Sequence, residues 1–227
     1  MNQKIFNLLI YLVLIPMAGL NGKAQITDSI KAGQTIFFDK FSQDLTGKFP
    51  ANWISNKPGE VVSQKNLQGK WFKMHAEGTY LPQLKQDFPK NFTINFDYIH
   101  QAIGNGNNTT EITIFNKPKN SLNDALFPGS YGVKIILETF IVSCLCYNNL
   151  NPAVKPSGEF RSKIIQTNNI AKISIKVDDK QLRVSVNGFE CLNLPQCFGD
   201  NEVFNAVRFY LWGSQAEPMI SNFKIAY

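Results

Sequence analysis

In the last quarter of the chain, apolar and polar residues alternate with a period of two, and the alternation turns back at short polar breaks. Ile173, Ile175 and Val177 share one side while Lys172, Ser174 and Lys176 share the other, because successive side chains of an extended chain point to opposite faces. After Asp178-Asp-Lys180 the pattern resumes in Leu182, Val184 and Val186, and Asn187-Gly188 ends it with turn chemistry. Val207-Arg-Phe-Tyr-Leu-Trp212 and Ile220-Ser-Asn-Phe-Lys-Ile-Ala-Tyr227 read the same way. Such alternation describes antiparallel strands with one buried and one wet face.

The rest of the chain agrees. Phe92, Ile94, Phe96 and Tyr98 alternate with Thr93, Asn95 and Asp97. Shorter strand signals occur at 34–38, at Val61-Val62, 71–74, 79–81 and 111–115, and a turn-rich segment, 47–50, precedes Trp53. Residues 133–147 read as two strands meeting near Glu138-Thr139, while 104–110 and 148–158 are loop-like in their Asn, Pro and Gly content. No stretch sustains helical spacing, so any helix should be short. About a dozen short strands imply an all-β fold: a two-sheet antiparallel jelly-roll sandwich occupying residues 25–227 as one domain.

The amino terminus predicts export. Lys4 gives a positive start, Leu8-Leu-Ile-Tyr-Leu-Val-Leu-Ile15 is an apolar run too short to span a bilayer, and Gly22-Lys-Ala24 is a small-x-small cleavage site. Residues 1–24 are therefore expected to be a signal peptide. The mature chain would have no integral membrane segment and would reside in the periplasm, at the outer-membrane surface or outside the cell. The net charge of +6 falls by the two lysines of the leader, a modest excess that suits a solvated surface. No Lys/Arg cluster is interleaved with aromatics, which argues against nucleic-acid binding.

Export makes disulfides available to Cys144, Cys146, Cys191 and Cys197, with three connectivities that spacing cannot separate. Cys144 and Cys146 share a strand face, so a bond between them would be strained. Cys191 and Cys197 bracket Leu-Asn-Leu-Pro-Gln and form the pair that a local loop would close. Zinc would need four converging ligands, and with two histidines and no second close cysteine pair that set is missing.

Several motifs, taken in order, resemble an envelope-protein family of Bacteroidetes-type bacteria. They are Phe37-Phe-Asp-Lys-Phe41, Gly47-Lys-Phe-Pro-Ala-Asn-Trp53, Gly59-Glu-Val-Val62, Gly69-Lys-Trp71, Leu81-Pro-Gln-Leu84 and Phe88-Pro-Lys-Asn-Phe-Thr-Ile-Asn-Phe-Asp97. In that family a β-sandwich precedes an OmpA-like peptidoglycan-binding domain. Val186-Asn-Gly188, Val207-Arg-Phe-Tyr210 and Ile220-Ser-Asn-Phe-Lys-Ile225 look like the closing strands of concanavalin A-like (laminin G-like) jelly rolls. The likeness covers most of residues 34–227. The sequence ends at Tyr227, directly after the sandwich, so the expectation is a sandwich without the OmpA-like domain, and peptidoglycan anchoring is not carried over.

Jelly rolls of this kind include glycoside hydrolases. Laminarinase-type enzymes place a Glu, an Asp and a second Glu at alternate positions of one strand, because nucleophile and acid/base must project from one face. Here Glu111 is followed on its face by Thr113 and Phe115, which leaves one carboxylate for two roles. Keto-disaccharide hydrolase-like proteins share the jelly roll and an early Phe-Asp start that Asp39 and Trp53 match loosely. Asp39 reads better as a sheet-end residue accepting backbone hydrogen bonds. His75 and His100 are isolated, and no metal centre or catalytic site is assigned. A structural calcium ion is conceivable from Asp97, Asn105, Asn107, Asp178 and Asp179, although they form no recognisable calcium loop.

Binding is the better expectation. Sugars are held by aromatic rings against their C–H faces and by amides and carboxylates on their hydroxyls. Arg208, Tyr210 and Trp212 share the face opposite Val207, Phe209 and Leu211 and are the first candidates, followed by Trp71 and Tyr80. For Trp53 and Trp71 the simpler expectation is that they fill the sandwich. The sequence thus points to a non-catalytic binding or scaffold module for a glycan or another envelope component. The alternatives are a hydrolase on the same fold, or a structural surface protein contacting envelope proteins.

Overall fold

A computed structural model describes residues 34–101, 109–117, 122–123, 125–148, 156–213 and 217–227. The predicted signal peptide and the calcium candidates Asn105 and Asn107 lie outside the described residues. Among the described residues there are strands, turns and bends but no helix. In chain order the strands are β1 (Thr35–Asp39), β2 (Trp53–Ser55), β3 (Gly59–Val62), β4 (Trp71–Met74), β5 (Thr79–Pro82) and β6 (Asn91–Ile99). Then come β7 (Thr109–Phe115), β8 (Tyr131–Leu137), β9 (Ile141–Asn148), β10 (Ser157–Arg161) and β11 (Ile170–Asp178). The last four are β12 (Gln181–Val186), β13 (Phe189–Leu194), β14 (Ala206–Trp212) and β15 (Met219–Ala226).

All pairings are antiparallel, in two sheets. Sheet A runs β13-β12-β11-β6-β15-β4-β3, with β1 also on β15; sheet B runs β10-β9-β8-β7-β14-β5-β2. The jelly-roll expectation is met. The strongest signal is met residue by residue: Ile173, Ile175 and Val177 pair with Val186, Val184 and Leu182, and all six are buried in the core. Asn187 and Gly188 take φ of 53° and 82°, the two positive values that a tight two-residue hairpin turn requires.

The inner faces meet over an aromatic cluster centred on Trp53, whose ring lies 5.3 Å from Phe72 and from Phe223 and 6.0 Å from Phe209. Asp39 fixes it, accepting hydrogen bonds from Trp53 Nε1 at 3.1 Å and from the Phe41 amide at 2.7 Å. Asp39 is thus the sheet-end acceptor expected of it. Burial pushes its carboxyl above the ordinary value, and the two hydrogen bonds work against that shift.

Three expectations need correction. β10 begins within 148–158 and β13 runs on to Leu194 inside the 191–197 stretch, both expected to be loop, because edge strands need little intrinsic β-propensity when a neighbour supplies the ladder. The disulfide joins Cys146 to Cys197, 51 residues apart with Cα atoms 5.6 Å apart, and not Cys191 to Cys197. β13 stays extended through Leu194, so the local loop does not close. Cys191 sits at the irregularity where Val184 pairs with Leu192 and Ser185 with Glu190, while Cys197 is buried in the core beside the inner face of β9. The third correction concerns Trp71. It is buried but lies outside the sandwich, on the outer face of sheet A with Ile99, Met219, Val62 and Leu67.

Candidate functional site

The outer face of sheet B holds a buried polar cluster. The register places Tyr210, Glu111, Ile136, Ser143 and Glu159 in one cross-strand row, and Arg208, Thr113, Lys134, Leu145 and Ser157 in the next. Glu111 stands where the two rows meet. Arg208 Nη2 donates to its Oε1 at 3.1 Å, Thr113 Oγ1 to the same oxygen at 3.0 Å, Lys134 Nζ to Oε2 at 2.8 Å and Trp212 Nε1 to Oε2 at 3.2 Å. Both Glu111 and Arg208 are 1% exposed. A buried ion pair persists when further hydrogen bonds satisfy the remaining valences; four donors meet that condition for the Glu111 carboxylate, while Arg208 Nε is buried with no hydrogen-bond partner among the described residues.

The second cation is balanced differently. Lys134 Nζ lies 4.9 Å from the centroid of Phe127, a cation–π geometry. Phe127 belongs to a stretch, described at 122–123 and 125–130, that covers part of this face. Arg208 Nη1 donates to the carbonyls of Asn123 and Ala125, each at 3.2 Å, and Tyr147 Oη to that of Pro128 at 2.6 Å. Further along, Leu122 packs with Leu81, Phe115 and Ala206. Arg208 therefore bridges the carboxylate and the cover.

Beyond the cover the face opens at Trp212, which is 41% exposed. Its ring meets Tyr210 edge-on, with centroids 4.7 Å apart and planes at 84°, while Nε1 is tied to Glu111. An aromatic surface held at edge and nitrogen is preorganised, so a ligand stacking on it loses little side-chain freedom. Half-buried Ile136 and exposed Leu145 extend the apolar surface.

The sequence candidates thus separate. Arg208, Tyr210 and Trp212 do share a face opposite the buried Val207, Phe209 and Leu211. Arg208, however, is a buried brace and not an exposed ligand contact. Tyr80 does not present its ring either: it is fully buried in the core, its hydroxyl donating to Pro58 O at 2.6 Å and accepting from the His75 amide at 2.8 Å. Trp71 is 2% exposed. Lys134 is not among the sequence candidates, yet a lone lysine within the apolar run 131–137 is a visible signal, since a charge there must find a partner.

Among the described residues, the acidic candidates taken from the sequence lie on different parts of the sandwich. Asp97 lies on the outer face of sheet A, and Asp178 is beside Lys176 at 3.6 Å at the end of β11. Glu138 stands at the rim near Trp212, accepting from Thr109 Oγ1 at 2.6 Å. Among the described residues no group of three or more His, Cys, Asp or Glu converges as a metal site. His75 Nδ1 is 3.4 Å from Glu217, which also pairs with Lys73 at 2.6 Å. His100 is buried, 3.1 Å from the Tyr98 hydroxyl, and burial lowers its pKa although Glu138 works the other way.

No protein-family model matches the chain, and no curated protein does. Solved structures do. The Emp47p carbohydrate recognition domain is 12% identical with a TM-score of 0.60, the match covering 83% of this chain and 93% of that one. A GH16 protein of the Bacteroides ovatus mixed-linkage glucan locus, in complex with a G4G4G3G product, is 12% identical with a TM-score of 0.59 over 83% and 99%. The carbohydrate-binding module CBM66 from Bacillus subtilis is 15% identical with a TM-score of 0.50 over 78% and 96%. At these identities the likeness establishes the jelly-roll fold.

Proposed function

We propose that the protein is an exported, non-catalytic carbohydrate-binding module whose ligand stacks on Trp212 and Tyr210. The observation that carries this reading is the half-exposed Trp212 ring fixed by a buried Glu111–Arg208–Lys134 network. A ring with no binding role needs no such anchoring on a solvent-facing strand end. The carbohydrate-binding neighbours support the ligand class, and the amino-terminal segment supports export. Association with the envelope rests on the resemblance of the early motifs. The test is a glycan array followed by calorimetric titration of the best hit. Trp212→Ala should weaken binding at least tenfold, about 1.4 kcal/mol, with the urea midpoint little changed. Absence of any glycan ligand, or full retention of binding by Trp212→Ala, would overturn the reading.

One observation favours a second reading, a hydrolase. Glu138 stands near the same strand end as Glu111, and glycosidases need two carboxylates roughly 5–10 Å apart. Against it, both Glu111 oxygens are already engaged by four donors. Hydrolysis of an array hit, abolished by Glu138→Gln, would establish the enzyme.

A further inference from the structure

The outer face of sheet A carries a groove built by a split strand edge. One edge of β15 is shared between two partners. Met219 and Ile220 pair with Lys73 and Phe72 of β4, whereas Phe223, Lys224 and Ile225 pair with Asp39, Phe38 and Phe37 of β1. Ser221 and Asn222 fall between the two partners. On the other edge the ladder to β6 slips, since Ser221 faces Asp97 and Lys224 faces Asn95. One extra residue is therefore accommodated as a bulge, and Asn222 takes φ of 51°. Bulges re-aim side chains and recur beside functional sites. Here Asn222 is turned onto Asp97, its Nδ2 donating to Oδ2 at 2.6 Å, while Lys172 Nζ holds Oδ1 at 3.0 Å.

The resulting groove has a volume of about 710 Å³, with Trp71 and Gln68 on one side and Lys172 and Asn187 on the other. Trp71 Nε1 donates to the Gln68 carbonyl at 3.2 Å, which fixes the ring. A shallower depression of about 300 Å³ shares Asp97, Lys172 and Asn222 and continues towards Asn95 and Ser174. The two together suit an elongated polar ligand. Exposed amides of Asn187, Asn222 and Gln68 beside a fixed carboxylate match sugar hydroxyls, which both donate and accept. Charge refines the class. Lys40, Lys70 and Lys172 line the groove against the single carboxylate of Asp97. Lys70 donates to the carbonyls of Ser42 and Asp44, and those contacts leave its charge uncancelled.

We propose that this groove is a second saccharide site, which takes an acidic, uronate-type oligosaccharide with its carboxylates towards Lys40 and Lys70. It stands independently of the reading of sheet B and lies on the opposite face of the sandwich. The probe is tetragalacturonate, titrated into the purified chain in low salt with a chelator present, beside its methyl ester. The acid should bind, added salt should weaken it because the charges are solvent-exposed, and the ester should bind at least tenfold more weakly. Asn222→Gly keeps the positive φ and removes the amide; Lys40→Glu reverses a rim charge. Each should reduce affinity about tenfold or more, whereas Trp212→Ala should leave it unchanged. The proposal is overturned if the acid does not bind, if the ester binds equally well, or if Trp212→Ala abolishes binding that Asn222→Gly and Lys40→Glu retain. Because the first site is read through Trp212, failure of either site is separable from failure of the other.

Discussion

The two outer faces of the sandwich carry similar residues in opposite physical states. On sheet B, Glu111 and Arg208 are 1% exposed and share a hydrogen-bond network under a covering segment. On sheet A, the Asp97 side chain is also largely covered, 15% exposed, but the Lys172 side chain that pairs with it is 76% exposed. Both pairs sit at polar positions of an alternating strand pattern. Alternation thus tells which residues leave the core, and the chain crossing above decides whether they meet water. The largest expected effect follows from this difference. Glu111→Gln strands two buried cations and should cost about 3–5 kcal/mol in urea unfolding. A loss below about 1 kcal/mol would mean that water reaches the network.

Replacing the whole network sharpens the contrast between stability and positioning. Glu111→Leu with Arg208→Met and Lys134→Met should recover most of that loss, since well-packed apolar side chains often replace buried ions without penalty. It would also remove the anchor of Trp212 Nε1. Glycan affinity should therefore fall as it does in Trp212→Ala even where the triple variant is as stable as the parent. Trp212→Phe keeps a ring and drops the N–H donor, and its affinity should fall between those of the parent and Trp212→Ala. Equal affinity in parent and triple variant would separate the buried charges from binding altogether.

How far these faces are legible in sequence depends on distance along the chain. The hairpin of β11 and β12 is local, so its core residues are read directly from alternation. Trp212, Tyr210 and Arg208 are likewise placed on the correct face by their own strand. What sequence does not carry is the partner: Arg208 meets Glu111 across β14 and β7, 97 residues apart, and its cover includes the carbonyls of Asn123 and Ala125. The cysteines follow the same rule. Proximity along the chain suggests Cys191 with Cys197, while the fold brings Cys146 to Cys197 from the other sheet. The split edge of β15 is equally silent, because the bulge at Asn222 is a property of three neighbouring strands.

Between the faces, His100 tests the interior. Its pKa is lowered by burial from the ordinary 6.5, so the unfolded chain binds a proton more readily than the folded one. The stability this group contributes is fully present above that ordinary value and is lost as pH falls through the lowered one. The urea midpoint should therefore drop between roughly pH 7 and pH 5, and His100→Gln should flatten that slope. An unchanged slope would assign the acid sensitivity to other groups.

The smallest effect is expected on sheet A. Lys172→Ala removes a pair whose cation is mostly in water, and exposed pairs contribute about 0–1 kcal/mol. Asp97 keeps its hydrogen bond from Asn222, so its carboxylate is not left without a donor as Arg208 would be in Glu111→Gln. The stability change should stay within about 0.5 kcal/mol and shrink further in high salt. A loss as large as that of Glu111→Gln would show that the two faces are alike after all. Asp97 would then be a buried anion held by Lys172, and the groove would be a packed seam with no room for a ligand.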